Sequence, residues 1–503
     1  MMYKRIILIL ILSLVLIIIA CPGIQNGNSD DVYNTGQLNE KPSSLSDYNK
    51  IKEAFKKYLY EFSSFEEERE LTFAPEDNLK NSVSISKDNA RKDIDFLFKS
   101  LKYSYACYRF FGGDGTFDEA KGKIAKEIEG YEQDINIKDL ANLIYQNLKF
   151  VQDSHFSVES RHTCDKYKYL NNDEYMIGKD NKGYYVVLSG QKYYITSING
   201  SSEINKFIKP TIAQSGDISY NFGFLDLSGE TMIKVVFEGK DERLIYDIKL
   251  SYKASPEFEK TGFRKYTRSG VNIIENRRFY RINSAGDELD DFLEDSYTVS
   301  GQDLIVYDIR GNPGGDGRYP YEWFRNVTGQ SPAVPSAICY LNTATVLWRR
   351  LNYLENDIAE QSEAIQETKA KTKAELSEFI NGDKKEGWGE IYVNEEVNHK
   401  NDTKIIVLVD HNVGSSGELF MQYLSTMENV IFVGTNTSGA QLCGDVYGWR
   451  LPHSGIKINS GTFIRLPLDL ENIDGRGYEP DFWVNSPDIM DRILLFIEKH
   501  QLN

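Results

Sequence analysis

The stretch Leu304-Ile305-Val306-Tyr307-Asp308-Ile309-Arg310-Gly311-Asn312-Pro313-Gly314-Gly315 joins an apolar run to a glycine-rich turn. The apolar run, residues 304–307, does not alternate with polar residues, which is typical of a strand buried on both faces. Glycines in the turn allow sharp bends that expose backbone N–H groups, and such groups hold either a phosphate or a developing oxyanion. A phosphate loop needs Lys and then Ser or Thr after the glycines, but residues 316–318 are Asp-Gly-Arg. A purely structural turn has the same composition, so this segment alone leaves the alternatives open.

Two more apolar runs, residues 405–409 and 430–433, predict buried strands of the same kind. Strands and helices alternate over the last ~225 residues, which indicates an α/β architecture. An insertion at about 345–400 has apolar residues every three or four positions among many Glu and Lys. This spacing favours a solvated surface helix, and the alternative is an arm or lid over the site.

The chain upstream of this part divides into two regions of different pattern. Residues 46–164 have helical periodicity, and residues 165–275 contain short aliphatic and aromatic runs that predict strands. We therefore expect a helical domain at 46–164, a β-rich domain at 165–275 and an α/β domain at 276–503.

The first 21 residues have the pattern of an export signal. Lys4 and Arg5 precede an apolar run that ends in Ala20-Cys21, and a polar stretch at 22–45 predicts a flexible tether. A small residue before Cys resembles a bacterial lipobox, which implies lipidation of Cys21 and a cell-envelope, extracytoplasmic location. A plain signal peptide and an N-terminal membrane anchor are the alternatives.

Composition limits the partners and cofactors. The 503 residues include 58 Lys and Arg against 75 Asp and Glu, a net charge of −17 that argues against a nucleic-acid partner. The remaining cysteines (107, 164, 339 and 443) and the six histidines lack the spacing of a metal or redox motif, so we expect no metal and no cofactor. Disulfides and free buried thiols are both compatible with the cysteine pattern.

Two segments contain candidate catalytic side chains. Ser415 lies between the strand at 405–409 and an amphipathic helix, where the helix N-terminus favours negative charge, although a simple N-cap serine has the same context. Asp153-Ser154-His155-Phe156 follows a helical pattern, and His is the usual base that activates a serine hydroxyl. His155 taken alone is more often a structural side chain.

Together these motifs resemble one family, the carboxyl-terminal processing peptidases and tricorn-core serine proteases. The family's "DLRGNPGG", Ser-Ala-x-Glu, "VGxxTxG" and "EGRGxxPD" motifs are matched in order by residues 308–315, 415–418, 433–439 and 474–481. The resemblance implies a ClpP/crotonase-like α/β core, with a helical N-terminal domain and a divergent PDZ-like module in the β-rich region. A β connector without a ligand is the alternative for that module.

One departure from the family selects the branch. Family members with a Ser–Lys dyad have Lys directly after Thr-x-Gly, where this chain has Ala440. The tricorn-like branch uses a Ser-His pair and a late acidic residue, which Ser154, His155 and Asp474 match, with Asp where Glu is more common. His411 and His453 are the runner-up bases, and Glu418 is expected to be structural.

The resemblance implies an exported, lipid-anchored serine-type endopeptidase that cleaves peptides or unfolded proteins by acyl transfer. Ser415 would be the nucleophile and His155 the base, with Ser154 and Asp474 orienting the imidazole. The oxyanion would bind backbone amides of Gly314 or Gly315 and of Ser416. The alternative is an inactive envelope lipoprotein that binds peptides or hydrophobic ligands on the same fold.

Overall fold

The structure is a computed structural model, and it describes residues 45–69, 71, 83–283, 286–355, 363–395 and 397–502. The predicted export signal with Cys21 and the tether up to residue 44 lie outside these residues. Of the helices within the described ranges, none has both the length and the apolar character that a bilayer crossing requires.

Helices and strands alternate through the described residues as an α/β protein. The helices are α1 (Leu45–Lys56), α2 (Glu66–Arg69), α3 (Lys87–Ser104), α4 (Gly113–Gly130), α5 (Ile137–Asn147), α6 (Glu288–Ser296), α7 (Arg318–Thr328), α8 (Ala344–Glu355), α9 (Glu363–Asn381), α10 (Ser416–Ser425) and α11 (Ile489–Lys499).

The N-terminal helices form as the apolar spacing predicts. Helix α3 begins at Ser86, whose side chain accepts a hydrogen bond from the Asn89 amide, and its buried residues recur every three or four positions. A small antiparallel pair, β1 (Ser84–Ile85) and β2 (Ile135–Asn136), joins the starts of α3 and α5. The buried faces of α3, α4 and α5 share one hydrophobic core with strands from the second half of the chain.

The β-rich region forms a seven-stranded antiparallel sheet in the order β11-β10-β7-β6-β5-β9-β8. Its strands are β5 (Lys168–Asp180), β6 (Gly183–Leu188), β7 (Gln191–Ile198), β8 (Ile208–Ile212), β9 (Ile218–Asp226), β10 (Glu230–Glu238) and β11 (Arg243–Tyr252). Strand β11 also pairs with β5, which closes five strands into a ring. The one helical turn described between β5 and β11 is a short 3₁₀ segment, Ile204–Phe207. Peptide binding by this module stays a prediction.

The central sheet of the α/β part has the order β12-β13-β14-β18-β19-β24. Its strands are β12 (Arg264–Arg268), β13 (Val271–Glu275), β14 (Leu304–Asp308), β18 (Lys404–Val409), β19 (Val430–Gly434) and β24 (Phe482–Trp483). All neighbours from β13 to β24 are parallel, and β14, β18 and β19 are the three apolar runs predicted as buried strands. Strands β12 and β13 belong to this sheet because β13 pairs with β14. The expected boundary after residue 275 therefore falls too late.

Helices cover both faces of the central sheet. Helices α6, α7 and α10 pack on one face, and α11 packs on the other. Because parallel neighbours end at the same edge, the turns that follow β14 and β18 meet there. Those two turns contain the glycine motif and Ser415.

Two smaller antiparallel sheets join the halves of the chain. One contains β15 (Ser336–Asn342), β16 (Gly387–Trp388), β17 (Tyr392–Asn394), β20 (Cys443–Gly444) and β23 (Phe463–Pro467). The other contains β3 (Ser157–Val158), β4 (Arg161–His162), β21 (Tyr447–Arg450) and β22 (Lys457–Ser460). Strand β3 pairs with β22, which attaches the segment after His155 to the C-terminal part.

The insertion at 345–400 is a pair of helices rather than a solvated surface helix. Leu351 and Leu354 of α8 are buried, and they cluster with Leu376 and Phe379 of α9. The buried carboxylates of Glu68 and Glu386 accept hydrogen bonds from the first amides of α8. The two helices of the insertion therefore pack against each other, and the Glu68 carboxylate joins the start of α8 to the N-terminal part of the chain.

Candidate active site

Ser415 lies on a strained turn between β18 and α10. Its φ of 49° and ψ of −119° place a residue other than glycine in a left-handed conformation. Strain of this kind concentrates at functional sites, where a sharp strand-to-helix turn presents a nucleophile. The side chain is partly exposed, so the hydroxyl is presented at the N-terminus of the helix rather than buried in the core.

His155 lies on the turn between α5 and β3, and its ring reaches Ser415. The distance from Nε2 of His155 to Oγ of Ser415 is 3.0 Å, although the two residues are 260 positions apart. This distance is within the range in which a general base takes a proton from a nucleophile. The pairing of β3 with β22 holds the His155 turn against the C-terminal half.

The environment keeps the imidazole neutral. Burial lowers the pKa of His155 to about 4, and the positive charges of Lys166, His162 and Arg465 act in the same direction. A neutral imidazole that accepts the Ser415 proton at Nε2 has its own proton at Nδ1. This Nδ1 is buried without a hydrogen-bond partner in the described part of the chain, and the Cys443 carbonyl is the backbone group that interacts with the ring.

Asp474 does not contact the imidazole, contrary to the sequence-based expectation. One of its oxygens accepts the Ser154 amide at 2.8 Å, and the other accepts the amides of Gln441 and Leu442 at 2.8 and 2.9 Å. Burial raises the pKa of this carboxyl. Three backbone amides converge on the short side chain, so Asp474 fixes the turn before His155 and the strand that contains Cys443.

The Ser154 side chain, like that of Asp474, makes its hydrogen bonds to groups other than the imidazole. Its hydroxyl donates to the Gly439 carbonyl and accepts a hydrogen bond from Nζ of Lys166 at 2.6 Å. Neither bond involves the ring of His155. The expected orienting role of Ser154 is therefore replaced by a link between two turns.

The three residues expected to supply the oxyanion hole lie together, but not all of their backbone amides are free to bind an oxyanion. The Gly314 amide donates to Oδ1 of Asn312 at 2.8 Å, so it is already occupied. The amides of Gly315 and Ser416 have no hydrogen-bond acceptor among the residues that the structure describes. The Ser416 hydroxyl donates to the Gly315 carbonyl at 2.7 Å, which keeps the two residues adjacent. The free amides beside Ser415 are therefore those of Gly315 and Ser416.

Glu418 has the structural position that the sequence predicts. Its buried carboxylate accepts hydrogen bonds from the Thr437 hydroxyl and from the Gly439 and Ala440 amides, the latter two at 2.7 and 2.8 Å. These bonds tie α10 to the turn that follows β19. Gln441, which the motifs do not single out, donates to the Ser415 carbonyl at 2.8 Å and so supports the strained turn from the other side.

The runner-up bases point to other parts of the molecule. The ring of His411 lies 2.7 Å from the Tyr252 hydroxyl and 3.3 Å from Oγ of Ser255. The backbone amide of His453 donates to Asp93 of α3, on the helical side. Of the three histidines weighed, His155 is the one that contacts Ser415.

A buried group beneath His155 has the residue types of metal ligands. Donor atoms of Cys107, Asp153 and Cys443 lie within 4.8 Å of one another. Both oxygens of Asp153 already accept hydrogen bonds, one from the His155 amide and one from the Tyr105 hydroxyl, each at 2.8 Å. We therefore assign the group a packing role beneath the base. The four described cysteines are all free and buried.

A serine on a strained strand-to-helix turn, a neutral histidine within reach and free amides beside them form the arrangement that serine hydrolases use. Residues 270–484, which contain the glycine turn, Ser415 and Asp474, match the model of Peptidase family S41.

The solved structures that the chain matches include several peptidases. Mature CPAF has 15% identity and a TM-score of 0.43, with 82% of this chain and 96% of that chain covered. The photosystem II D1 C-terminal processing protease has 12% identity and a TM-score of 0.36, with coverage of 81% and 96%. A putative peptidase from Parabacteroides merdae has 13% identity and a TM-score of 0.39, with coverage of 82% and 95%. No curated protein matches the chain in sequence.

Proposed function

We propose that the protein is a serine peptidase that cleaves peptides or unfolded protein segments by acyl transfer outside the cytoplasm. The observation that carries this proposal is the 3.0 Å distance between Nε2 of His155 and Oγ of Ser415. It is supported by the free amides of Gly315 and Ser416 beside the hydroxyl.

In the acylation step, Oγ of Ser415 attacks the scissile carbonyl while Nε2 of His155 takes the hydroxyl proton. The negative charge that develops on the carbonyl oxygen binds the amides of Gly315 and Ser416 at the helix N-terminus. One such donor typically contributes ~10²–10³ in rate. His155 then gives its proton to the leaving amine, and the C–N bond breaks to leave an acyl-Ser415 ester.

In the deacylation step, water attacks the ester and His155 takes a proton from it. The second oxyanion binds the same two amides, and its collapse returns the proton to Oγ of Ser415 and releases the carboxylic acid. Each proton transfer uses a side chain of this protein. The depressed pKa of His155 keeps the imidazole ready as a base at neutral pH.

The test is labelling of the full-length protein with a fluorophosphonate probe, followed by cleavage assays on an unfolded protein. We expect the label on Ser415, no label in Ser415→Ala, and a labelling rate lowered ~10²–10⁴-fold in His155→Gln, the usual contribution of a general base. His411→Gln is the matched control, because its ring contacts Tyr252 and Ser255 instead of the site. Labelling of His155→Gln at the wild-type rate would refute the assignment of the base.

The same assay separates the peptidase from a binding protein on the same fold. Products from wild type and none from Ser415→Ala support the peptidase. Equal peptide binding by both proteins, with no probe adduct and no products from either, supports the inactive envelope lipoprotein instead.

We also propose that the mature protein is held at the membrane by a lipid on Cys21. Support comes from the apolar run that ends in Ala20-Cys21 and from the polar stretch at 22–45, which is long enough to separate the folded part from a bilayer.

A further inference from the structure

We propose that Lys166 is a positioning residue of this site, which clamps the turn carrying the base His155 to the turn that lies against the nucleophile Ser415. This inference rests on the proposed function and adds a residue that no motif in the sequence singles out. Lys166 lies between β4 and β5, outside the segment 270–484 that matches the family model.

The ammonium group of Lys166 bridges the two turns directly. It donates to Oγ of Ser154 at 2.6 Å, on the residue before His155. It also approaches the Ser438 carbonyl at 3.0 Å, the Ser438 hydroxyl at 3.1 Å and the Gly439 carbonyl at 3.3 Å. The three N–H groups of Lys166 are thus shared among four oxygens from two distant segments. A lysine that merely lies on the surface does not make such a set of hydrogen bonds.

The turn at Ser438 in turn contacts the nucleophile segment. The Ser438 amide donates to the Val413 carbonyl at 2.8 Å. A methyl group added at Gly414 would lie 3.4 Å from Cβ of Ser438. The contacts therefore run without a break from the base, through Lys166 and Ser438, to the residues just before Ser415.

Lys166 also supplies the principal positive charge near the imidazole. The other cationic groups facing His155 are His162 of β4 and Arg465 of β23. Burial lowers the pKa of His162, and the guanidinium of Arg465 donates to the Gln441 side chain. Of these three charged neighbours, Lys166 lowers the pKa of His155 the most.

Three carboxyl groups lie near the two turns that Lys166 joins. Asp153 belongs to the same turn as His155, Asp474 follows β23 and Glu418 lies on α10. Burial raises the pKa of all three, that of Asp153 to about 7, and the positive charge of Lys166 acts in the opposite direction on Asp153 and Asp474. At the imidazole, the positive charge of Lys166 favours the neutral form of His155 that acts as a base.

Lys166 does not act as the base itself, because its ammonium is a donor without a free lone pair and is held by four oxygens. The role we assign is thus to hold His155 in place and to keep it unprotonated.

The experiment is a pH titration of the histidine ring ¹³Cε1 signals by NMR in the full-length protein, with the His155 signal assigned by its loss in His155→Gln. In wild type we expect the His155 midpoint well below the ordinary histidine value of about 6.5. Lys166→Met and Lys166→Gln should move it upward by roughly one pH unit, the size of shift that a neighbouring charge produces. Lys166→Arg should keep it near the wild-type position.

Lys149→Met is the matched control. Lys149 donates to the Thr163 carbonyl at 3.2 Å and to Asp165 at 2.9 Å, so it makes a similar tie in the same region without touching either turn of the site. The control should leave the His155 midpoint unchanged. Circular dichroism identifies any variant that fails to fold. Two neutral replacements, Lys166→Met and Lys166→Gln, are used so that the test still works if one of them does not fold.

Fluorophosphonate labelling across pH gives the second readout. A general base must be unprotonated, so the labelling rate falls as the pH falls through the pKa of His155. The fall should begin at higher pH in Lys166→Met than in wild type, and the plateau at high pH should drop by roughly 10- to 100-fold because the clamp is lost. Lys166→Arg should retain both the wild-type midpoint and most of the plateau.

Two results would overturn this inference. An unchanged plateau together with an unchanged His155 midpoint in both neutral variants would mean that Lys166 neither clamps the two turns nor keeps His155 unprotonated. Complete loss of labelling in Lys166→Arg, together with normal labelling in His155→Gln, would make Lys166 the base. The NMR titration needs no turnover, so it decides the role of Lys166 even if wild type fails to label and the peptidase proposal falls.

Discussion

Replacing Gly314 by alanine tests whether the glycine turn shapes the nucleophile segment. The φ of Gly314 is 95°, and a Cβ built there would lie 2.6 Å from the Ser416 amide nitrogen, 2.7 Å from the Gly414 carbonyl oxygen and 2.8 Å from Cβ of Ser415. Ordinary contacts begin at 3.4 Å, so these groups would have to retreat by about 0.6–0.8 Å. The added methyl group would therefore push the nucleophile and one oxyanion donor away from the site.

The expected cost has two parts. Left-handed backbone costs an alanine about 1–2 kcal/mol, and overpacking adds about 1–3 kcal/mol. Since a misplacement of about 1 Å lowers the rate by roughly 10², we expect the labelling rate at Ser415 to fall on the order of 30- to 100-fold in Gly314→Ala. The Gly314 amide remains in the variant and still donates to Asn312, so the loss would not come from a missing hydrogen-bond donor.

Gly329→Ala is the matched control for this prediction. Gly329 ends α7 with a φ of 68°, and a Cβ there has no heavy atom within 4 Å. The control should lose only the 1–2 kcal/mol of backbone strain in urea unfolding and should label at the wild-type rate. Equal labelling rates for Gly314→Ala and Gly329→Ala would refute the idea that this contact sets the position of Ser415.

Two further substitutions test the contacts that support the site and the proposed membrane anchor of the protein. Asp474→Asn replaces one of two oxygens that accept three backbone amides. Urea unfolding should therefore show a loss of about 1–3 kcal/mol, the cost of an unsatisfied buried amide, and unchanged stability would contradict the role we assign. Cys21→Ser should abolish incorporation of an alkyne-labelled fatty acid and move the protein from the membrane to the soluble fraction, whereas a wild-type protein that is already soluble would contradict the lipid anchor.

The α/β core was predictable because its signals are local. Continuous apolar runs at 304–307, 405–409 and 430–433 indicate buried parallel strands, and the structure has them as neighbours in one sheet. The same pattern placed Ser415 between a buried strand and an amphipathic helix, but it did not predict the strained backbone there, because an ordinary N-cap serine has the same context. Strand β13 was assigned to the wrong region because its sequence does not reveal which neighbour it pairs with.

The supporting contacts of the site were less predictable because they depend on side-chain reach. Asp474 follows the family motif, but its carboxylate binds backbone amides and stops short of the ring of His155. Lys166 belongs to no motif, and only the folded chain brings its ammonium group to Ser154 and Ser438. The sequence offered one indirect signal that a lysine from elsewhere could lie near the site. Ala440 stands where members of the resembled family with a Ser–Lys dyad have a lysine, so that position has no charge.

The pairing of β3 with β22 joins segments that a ribosome makes far apart in time. His155 is synthesised long before Ser415, and the Asp474 that steadies its turn comes near the end of the chain. A partly made chain thus has His155 without the Ser415 hydroxyl that its ring contacts. Ser415 and His155 come together only when β3 has paired with β22, so the complete site marks the moment at which the two parts of the chain have folded onto each other.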